Sequence, residues 1–173
     1  MIRFLAPLLV LLIASNTARA DADACFVHAA QRRHLNVNLL RAMGRVESNY
    51  RPYVTNPKTG AIGEMQIMPF HLNWLKKYGI YERDLYDECT NINVAAFLLS
   101  DFIRMYGNTW RAVGAYGAGI AKDKEQARIG YAQQVQQAYE RITYHVTTNP
   151  APARESRTVS PVEPARPTMV VQQ

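Results

Sequence analysis

Apolar residues recur along this chain mainly at the spacing of an α-helix. In the segment 38–50, Leu39, Leu40, Met43 and Val46 fall on one side of a helix, as one face of an amphipathic helix requires. No segment shows the strict alternation of apolar and polar residues that marks a half-buried strand. The sequence therefore predicts a mostly α fold. The predicted helices cover residues 24–33, 38–50, 69–78, 91–106, 110–116 and 129–145.

Glu47 interrupts the apolar side of the helix predicted over residues 38–50. It lies four residues after Met43 and seven after Leu40, away from Arg41 and Arg45 on the polar side. Burial disfavours the charged form of a carboxyl group and so raises its pKa. A glutamate with a raised pKa can hold a proton near neutral pH and donate it as a general acid. The alternative is that Glu47 lies at the edge of the apolar face and reaches water, as most charged residues do.

The chain divides into three parts by composition. Residues 1–20 are typical of a secretory signal peptide, with an early arginine, an apolar run and Ala-Arg-Ala at 18–20, and an uncleaved membrane anchor is the alternative. Residues 21–146 are of single-domain size and carry the predicted helices. Residues 147–173 hold five of the nine prolines and no aromatic residue, so we expect a disordered tail. The mature chain has no apolar stretch long enough to be a transmembrane segment.

The cysteines, histidines and charged residues limit the kinds of binding site and partner that we expect. Two cysteines, Cys25 and Cys89, are an even number in an exported chain, which favours a disulfide over the alternative of two free buried thiols. The four histidines show no ligand spacing, so we expect neither a metal site nor a cofactor. The formal net charge is +6, but the basic residues are scattered. Nucleic-acid binding needs a clustered basic surface, so we expect no nucleic-acid partner.

Four short motifs follow one another through the predicted helical domain. They are Glu47-Ser48, the sequence GEMQI at 63–67, AYGAG at 115–119 and YAQQV at 131–135. Each is weak alone. In this order they resemble the Glu-Ser, Gly-Leu-Met-Gln, Ala-Tyr-Asn-Ala-Gly and late tyrosine of the lytic transglycosylases of the soluble-lytic-transglycosylase type. The resemblance covers about residues 25–139 and implies a lysozyme-like helical domain.

The resemblance implies a role for each matched residue. Glu47 would be the catalytic residue. The residues expected to bind substrate are Ser48, Met65, Gln66, Tyr116 and Tyr131. Ser48 could instead orient Glu47, and the two tyrosines are suited both to sugar packing and to holding Glu47. A structural role remains open for three of them, because Ser48 can cap or face the surface, while Met65 and Tyr131 can belong to the core.

Two residues depart from the family pattern. Glu64 stands where the family usually has leucine, and Gly117 stands where it usually has asparagine. Gly117 lacks a side-chain amide that the family can use for turn structure or sugar contact. Glu64 adds a second carboxylate, which would either tune the pKa of Glu47 by like-charge repulsion or act as a second catalytic group.

Further residues resemble one branch of this family. The segments 74–80 and 89–92, WLKKYGI and CTNI, resemble the small exported transglycosylases that accompany type III secretion, type IV secretion, conjugation and type IV pilus machines. In that branch the second segment's cysteine pairs with one near the mature N-terminus, which implies a Cys25–Cys89 disulfide. The resemblance also implies a periplasmic location and components of such a machine as partners.

The implied reaction is cleavage of peptidoglycan between N-acetylmuramic acid and N-acetylglucosamine. In this family the product carries a 1,6-anhydro bond, and one carboxyl group acts first as acid and then as base. Two alternatives remain open: a lysozyme-type hydrolase that uses Glu47 and Glu64 as a carboxylate pair, and a cell-wall-binding subunit without activity.

Overall fold

The computed structural model describes residues 23–148, and these form a helical domain. Helix α1 covers residues 23–33. Helices α2 to α6 are Val37–Glu47, Leu72–Leu75, Glu88–Tyr106, Trp110–Ala118 and Glu125–Thr148. Short 3₁₀ turns cover Pro69–His71, Lys76–Tyr78, Glu82–Tyr86 and Lys122–Lys124. Within residues 23–148 there is no strand, only isolated bridges that join Ile62 to Thr55 and to Ile67. The predicted mostly α fold is confirmed.

The core lies where the apolar faces of the long helices meet. Helix α6 packs against both α2 and α5, and α4 packs against α5. The fully buried side chains include Leu40 and Met43 of α2, Leu99 of α4 and Val135 of α6. The helical spacing of these residues is what brings them onto the buried faces.

Helix α2 ends earlier than the sequence predicted. Its last residue is Glu47, and Asn36 caps its first turn by accepting hydrogen bonds from the next backbone amides. The predicted end at residue 50 is wrong because Asn49 and Tyr50 have positive φ angles of 58° and 61°. Such angles cannot continue a right-handed helix. Glu47 therefore stands at a helix terminus.

The other helix boundaries differ from the prediction in smaller ways. The segment 69–78 is a 3₁₀ turn, a single α turn and a second 3₁₀ turn, ended as expected by Gly79 at φ +75°. Helix α4 begins before residue 91, because the side chain of Asp87 caps it through the amide of Thr90. Helix α5 continues through Gly117 and ends at Gly119, whose φ is +76°.

The N-terminal helix is tied to the centre of the domain by a disulfide. Cys25 in α1 is bonded to Cys89 in the first turn of α4, with their Cα atoms 5.0 Å apart. The predicted disulfide is confirmed.

The ends of the chain lie outside the described residues. The expected signal peptide at 1–20 falls there. Of the tail expected at 147–173, the first two residues belong to α6, which continues to Thr148, and the rest falls outside the described residues. No helix between residues 23 and 148 is long and apolar enough to cross a membrane.

Candidate active site

Glu47 occupies a half-buried position at the C-terminal end of α2. Burial raises the pKa of its carboxyl group to about 7, although a hydrogen bond from Tyr131 acts in the opposite direction. The phenol Oη of Tyr131 donates this bond to Oε1 of Glu47 over 2.5 Å. A carboxyl group with this pKa is protonated in a large fraction of molecules at neutral pH. Glu47 can therefore donate a proton and, after donation, accept one.

Two tyrosines from different helices surround this carboxyl group. Tyr116 lies in α5 and Tyr131 in α6, with ring centroids 6.5 Å apart and planes inclined by 30°. Burial, and next the charge of Glu47, raise the pKa of both phenols well above the usual range. Both therefore stay neutral and act as hydrogen-bond donors. Tyr116 donates over 2.7 Å to the backbone oxygen of Met65.

The GEMQI segment presents only part of itself to the site. The side chain of Met65 is 0% exposed, so it belongs to the core and cannot contact substrate in this conformation. Gln66 is half-buried. Its φ is +51°, and its Nε2 donates to the oxygen of Gly63 over 2.9 Å. Of these two residues, only Gln66 has the partial exposure that substrate contact requires.

Ser48 shapes the turn that follows α2. Its side chain is buried with 3% exposure. Its Oγ accepts a hydrogen bond from the backbone amide of Arg51 over 2.8 Å, and the Arg51 Nε donates to the Ser48 backbone oxygen over 2.7 Å. This is the capping role that the sequence left open. These hydrogen bonds stabilise the turn that directly follows Glu47.

Glu64 is placed in a different environment from Glu47. It is 1% exposed, and within residues 23–148 neither carboxyl oxygen has a hydrogen-bond partner. Burial, followed by the charge of Glu88, raises the pKa of Glu64 to about 7. Burial also raises the pKa of Tyr50, Arg45 lowers it, and Glu64 raises it further.

Neither carboxyl group is among the causes of the other's raised pKa. The causes for Glu47 are burial and, in the opposite direction, the hydrogen bond from Tyr131, so the structure does not support the expected tuning by Glu64. Nor does Glu64 suit a second catalytic role, because its buried oxygens are closed to substrate and water. Glu64 lies in a loop, where side chains follow no helical period, so the sequence could not show that its carboxyl group is buried.

Asn91 supports the site and was not singled out from the sequence. It is fully buried in α4. Its Oδ1 accepts from the amide of Met65 over 2.7 Å, and its Nδ2 donates to the oxygens of Ile62 and Leu85 over 3.0 and 2.7 Å. It thereby fixes the GEMQI segment. The signal was present, because Asn91 falls one turn before Ala95 on the apolar face of its helix.

Within the described part of the chain, no three His, Cys, Asp or Glu side chains lie close enough to hold a metal ion. The groups that the structure places at the site are the carboxyl group of Glu47, the phenols of Tyr116 and Tyr131 and the amide of Gln66, and they offer proton transfer at Glu47. A helical domain that presents one proton-holding glutamate beside a tyrosine has the arrangement of a lysozyme-like enzyme that cleaves glycosidic bonds.

Comparison with known proteins agrees with this class. Residues 24–139 match the transglycosylase SLT domain. Invasion protein IagB of Salmonella typhimurium is 35% identical over 139 residues, which is 78% of this chain and 85% of that protein. Protein IpgF of Shigella sonnei is 36% identical over 128 residues, covering 72% of this chain and 82% of its own.

A solved structure shows the same fold. The lytic transglycosylase Slt of Pseudomonas aeruginosa, an inactive glutamate-to-glutamine mutant, superimposes with a TM-score of 0.59 and 26% identity over 73% of this chain and 24% of the Slt chain. The chain belongs to the SLT transglycosylase family and is a peptidoglycan lytic transglycosylase.

Proposed function

We propose that this enzyme cleaves the bond between N-acetylmuramic acid and N-acetylglucosamine without water, with Glu47 as its only catalytic carboxyl group. The observation that carries the proposal is the environment of Glu47. Its pKa of about 7 arises from burial, Tyr131 is its hydrogen-bond partner, and the pKa of Glu47 receives no contribution from a second carboxylate. A two-carboxylate hydrolase needs a second group in reach of the sugar, and Glu64 is closed off.

The proposed reaction uses the same carboxyl group twice. Protonated Glu47 donates its proton to the glycosidic oxygen, and the carbon–oxygen bond to the muramic ring breaks. The N-acetyl oxygen of that ring stabilises the positive charge that develops. The carboxylate of Glu47 then accepts the proton of the ring's primary hydroxyl, whose oxygen closes the 1,6-anhydro bond. Each turnover returns the proton to Glu47, so no water is consumed.

Tyr131 has a specific part in this cycle. Its hydroxyl donates to Oε1 of Glu47, which leaves the other carboxyl oxygen to carry the transferable proton. A hydrogen bond to the charged form favours that form, so the bond eases the release of the proton from Glu47 and stabilises the carboxylate left after donation. Gln66, with both a donor and an acceptor, is placed to bind amide or hydroxyl groups of the sugar.

We further propose that the enzyme acts in the periplasm and opens the wall locally for an envelope-spanning secretion, conjugation or pilus machine. The expected signal peptide and the Cys25–Cys89 disulfide support export, because disulfides persist in oxidising compartments. The relative called invasion protein IagB matches over most of both chains, and this supports an association with a machine of this kind.

The test of the reaction is the mass of its products. Purified peptidoglycan is digested with the enzyme, and the released muropeptides are weighed. Anhydro products are lighter than hydrolytic products by one water, and we expect the anhydro mass. Products that carry the added water would show a hydrolase, and no release at all from intact wall would favour a binding subunit.

A further inference from the structure

Gly117 lies in the last turn of α5, beside the tyrosine that contacts Glu47. The residue is exposed, and α5 continues past it to Ala118. Its φ is not positive, unlike that of Gly119, which ends the helix at φ +76°. The backbone at position 117 would therefore accept any ordinary residue. Since alanine favours helix formation over glycine, neither backbone angle nor helix propensity accounts for the glycine.

The steric reason is the ring of Tyr131. A Cβ atom built on Gly117 would lie 2.5 Å from Cε2 of Tyr131 and closer still to Cδ2 and Cγ. Real Cβ atoms essentially never approach another heavy atom within 3.0 Å. The ring of Tyr131 thus packs directly on the backbone of α5, in space that every other residue would fill.

This packing continues to the reacting group. The hydroxyl of the same tyrosine is 2.5 Å from Oε1 of Glu47. The tyrosine is held in α6, so its ring cannot withdraw from α5 without moving its hydroxyl. Any side chain at position 117 must push the ring or the helix by an ångström or more, since van der Waals contact needs about 3.5–4.0 Å.

We propose that Gly117 is a positioning residue for the reaction, which allows the ring of Tyr131 to pack on α5 and so sets the hydrogen bond to Glu47. The inference rests on the proposed role of Glu47. Gly117 takes no part in the chemistry and acts through Tyr131.

The experiment compares Gly117→Ala with Gly130→Ala. Gly130 lies in α6 next to Tyr131, and an added Cβ there meets no atom within 4 Å. We expect Gly130→Ala to keep the lysis rate and to melt at an equal or slightly higher temperature. We expect Gly117→Ala to lose on the order of 10- to 100-fold in rate, because small misplacements of catalytic groups have effects of this size.

The pH profile separates a positioning role from a general loss of structure. The bond from Tyr131 lowers the pKa of Glu47, so its loss should move the alkaline limb of the rate profile to higher pH. Tyr131→Phe should move that limb in the same direction. The double variant Gly117→Ala/Tyr131→Phe should be no slower than the slower single variant, because both changes remove one interaction. Additive losses, or an unmoved limb in Gly117→Ala, would overturn the inference.

A melting experiment keeps the inference testable should Gly117→Ala fold poorly. Introduced into Tyr131→Ala, which has no ring to meet, Gly117→Ala should not lower the melting temperature further. A persistent loss would show that the ring is not what Gly117 accommodates.

Glu47→Gln distinguishes this inference from the proposed function. If that variant keeps its lysis, the role of Glu47 fails and the inference fails with it. If Glu47→Gln is inactive while Gly117→Ala behaves like Gly130→Ala, only the positioning role is wrong.

Discussion

The carboxyl groups of Glu47 and Glu64 both have a pKa of about 7, but their surroundings differ. Glu47 is half-buried and accepts a hydrogen bond from Tyr131. Glu64 is 1% exposed, without a hydrogen-bond partner for its carboxyl oxygens among the described residues. For both, burial is the largest cause of the shift. A raised pKa is therefore not enough to identify a general acid. Partial exposure and a partner that orients the carboxyl group are what separate the two.

The largest expected effect comes from Glu47→Gln, which keeps the size of the side chain and removes its transferable proton. Lysis of purified peptidoglycan should fall by about 10²–10⁴-fold, the usual contribution of a general acid–base group. Binding to sedimented peptidoglycan and the circular dichroism spectrum should stay as in the wild type. The matched change Glu64→Gln is the control and should keep lysis and the anhydro product. An equal loss of lysis in both variants would support a hydrolase that uses Glu47 and Glu64 as a carboxylate pair.

Removal of the disulfide should affect stability much more than the chemistry. Cys25 and Cys89 are 64 residues apart, and the chain-entropy treatment assigns about 4 kcal/mol to closing a loop of this length. A Cys25→Ser/Cys89→Ser variant should unfold at correspondingly lower urea concentration. Below its transition, the alkaline limb of its rate profile should match the wild type, because the disulfide is not among the causes of the Glu47 pKa. A shift of the alkaline limb would show that the disulfide affects the surroundings of Glu47.

Glu64 should make the wild-type protein less stable as pH rises. Its pKa is raised from 4.5 to about 7 in the folded chain, so between these values the folded state binds more protons than the unfolded state. The free energy of unfolding then decreases with pH. The contribution is fully present below pH 4.5 and is lost on passing pH 7, a change of about 3 kcal/mol. Urea unfolding at pH 5 and pH 8 should show a smaller decrease in Glu64→Gln than in the wild type.

The rate profile gives the companion measurement for Glu64→Gln. Since Glu64 does not contribute to the Glu47 pKa, the alkaline limb of lysis should stay in place. If the alkaline limb moves to lower pH in Glu64→Gln, then Glu64 does raise the pKa of Glu47.

The smallest effect is expected for removal of residues 149–173. Every contact described for the two carboxyl groups lies before residue 149. A chain ending at Thr148 should therefore keep the lysis rate, its pH profile and the pH dependence of its stability. Loss of lysis or unfolding of the shortened chain would show that the tail belongs to the domain.

The hydrogen bond between Glu47 and Tyr131 shows how far helical spacing alone can predict the site. Glu47 could be found from helical spacing, because a carboxylate on an apolar face is visible in a single helix. The same criterion would have found Asn91. Helical spacing could not show the pairing of Glu47 with Tyr131, since the residues are 84 positions apart and their contact depends on how α6 packs on α2. Only the resemblance of the motifs indicated that Tyr131 could hold Glu47.

The loop residues show where periodicity fails. Met65 and Glu64 are neighbours, and both are buried, because the GEMQI segment folds back on itself through a bridge between Ile62 and Ile67. In such a segment, side chains do not alternate regularly between core and surface. The substrate role expected for Met65 and the tuning role expected for Glu64 both assumed an exposure that only the folded loop determines.

The contact between α2 and α6 also determines when this enzyme can first act. If the chain is exported as we propose, its amino end leaves the cytoplasm first, and Glu47 emerges long before Tyr131. An incomplete chain then carries the acid without its orienting phenol and without the helix that buries it. The ability to cut the wall would arise only when the last helix docks, so a copy that ends before α6 should have no lytic activity.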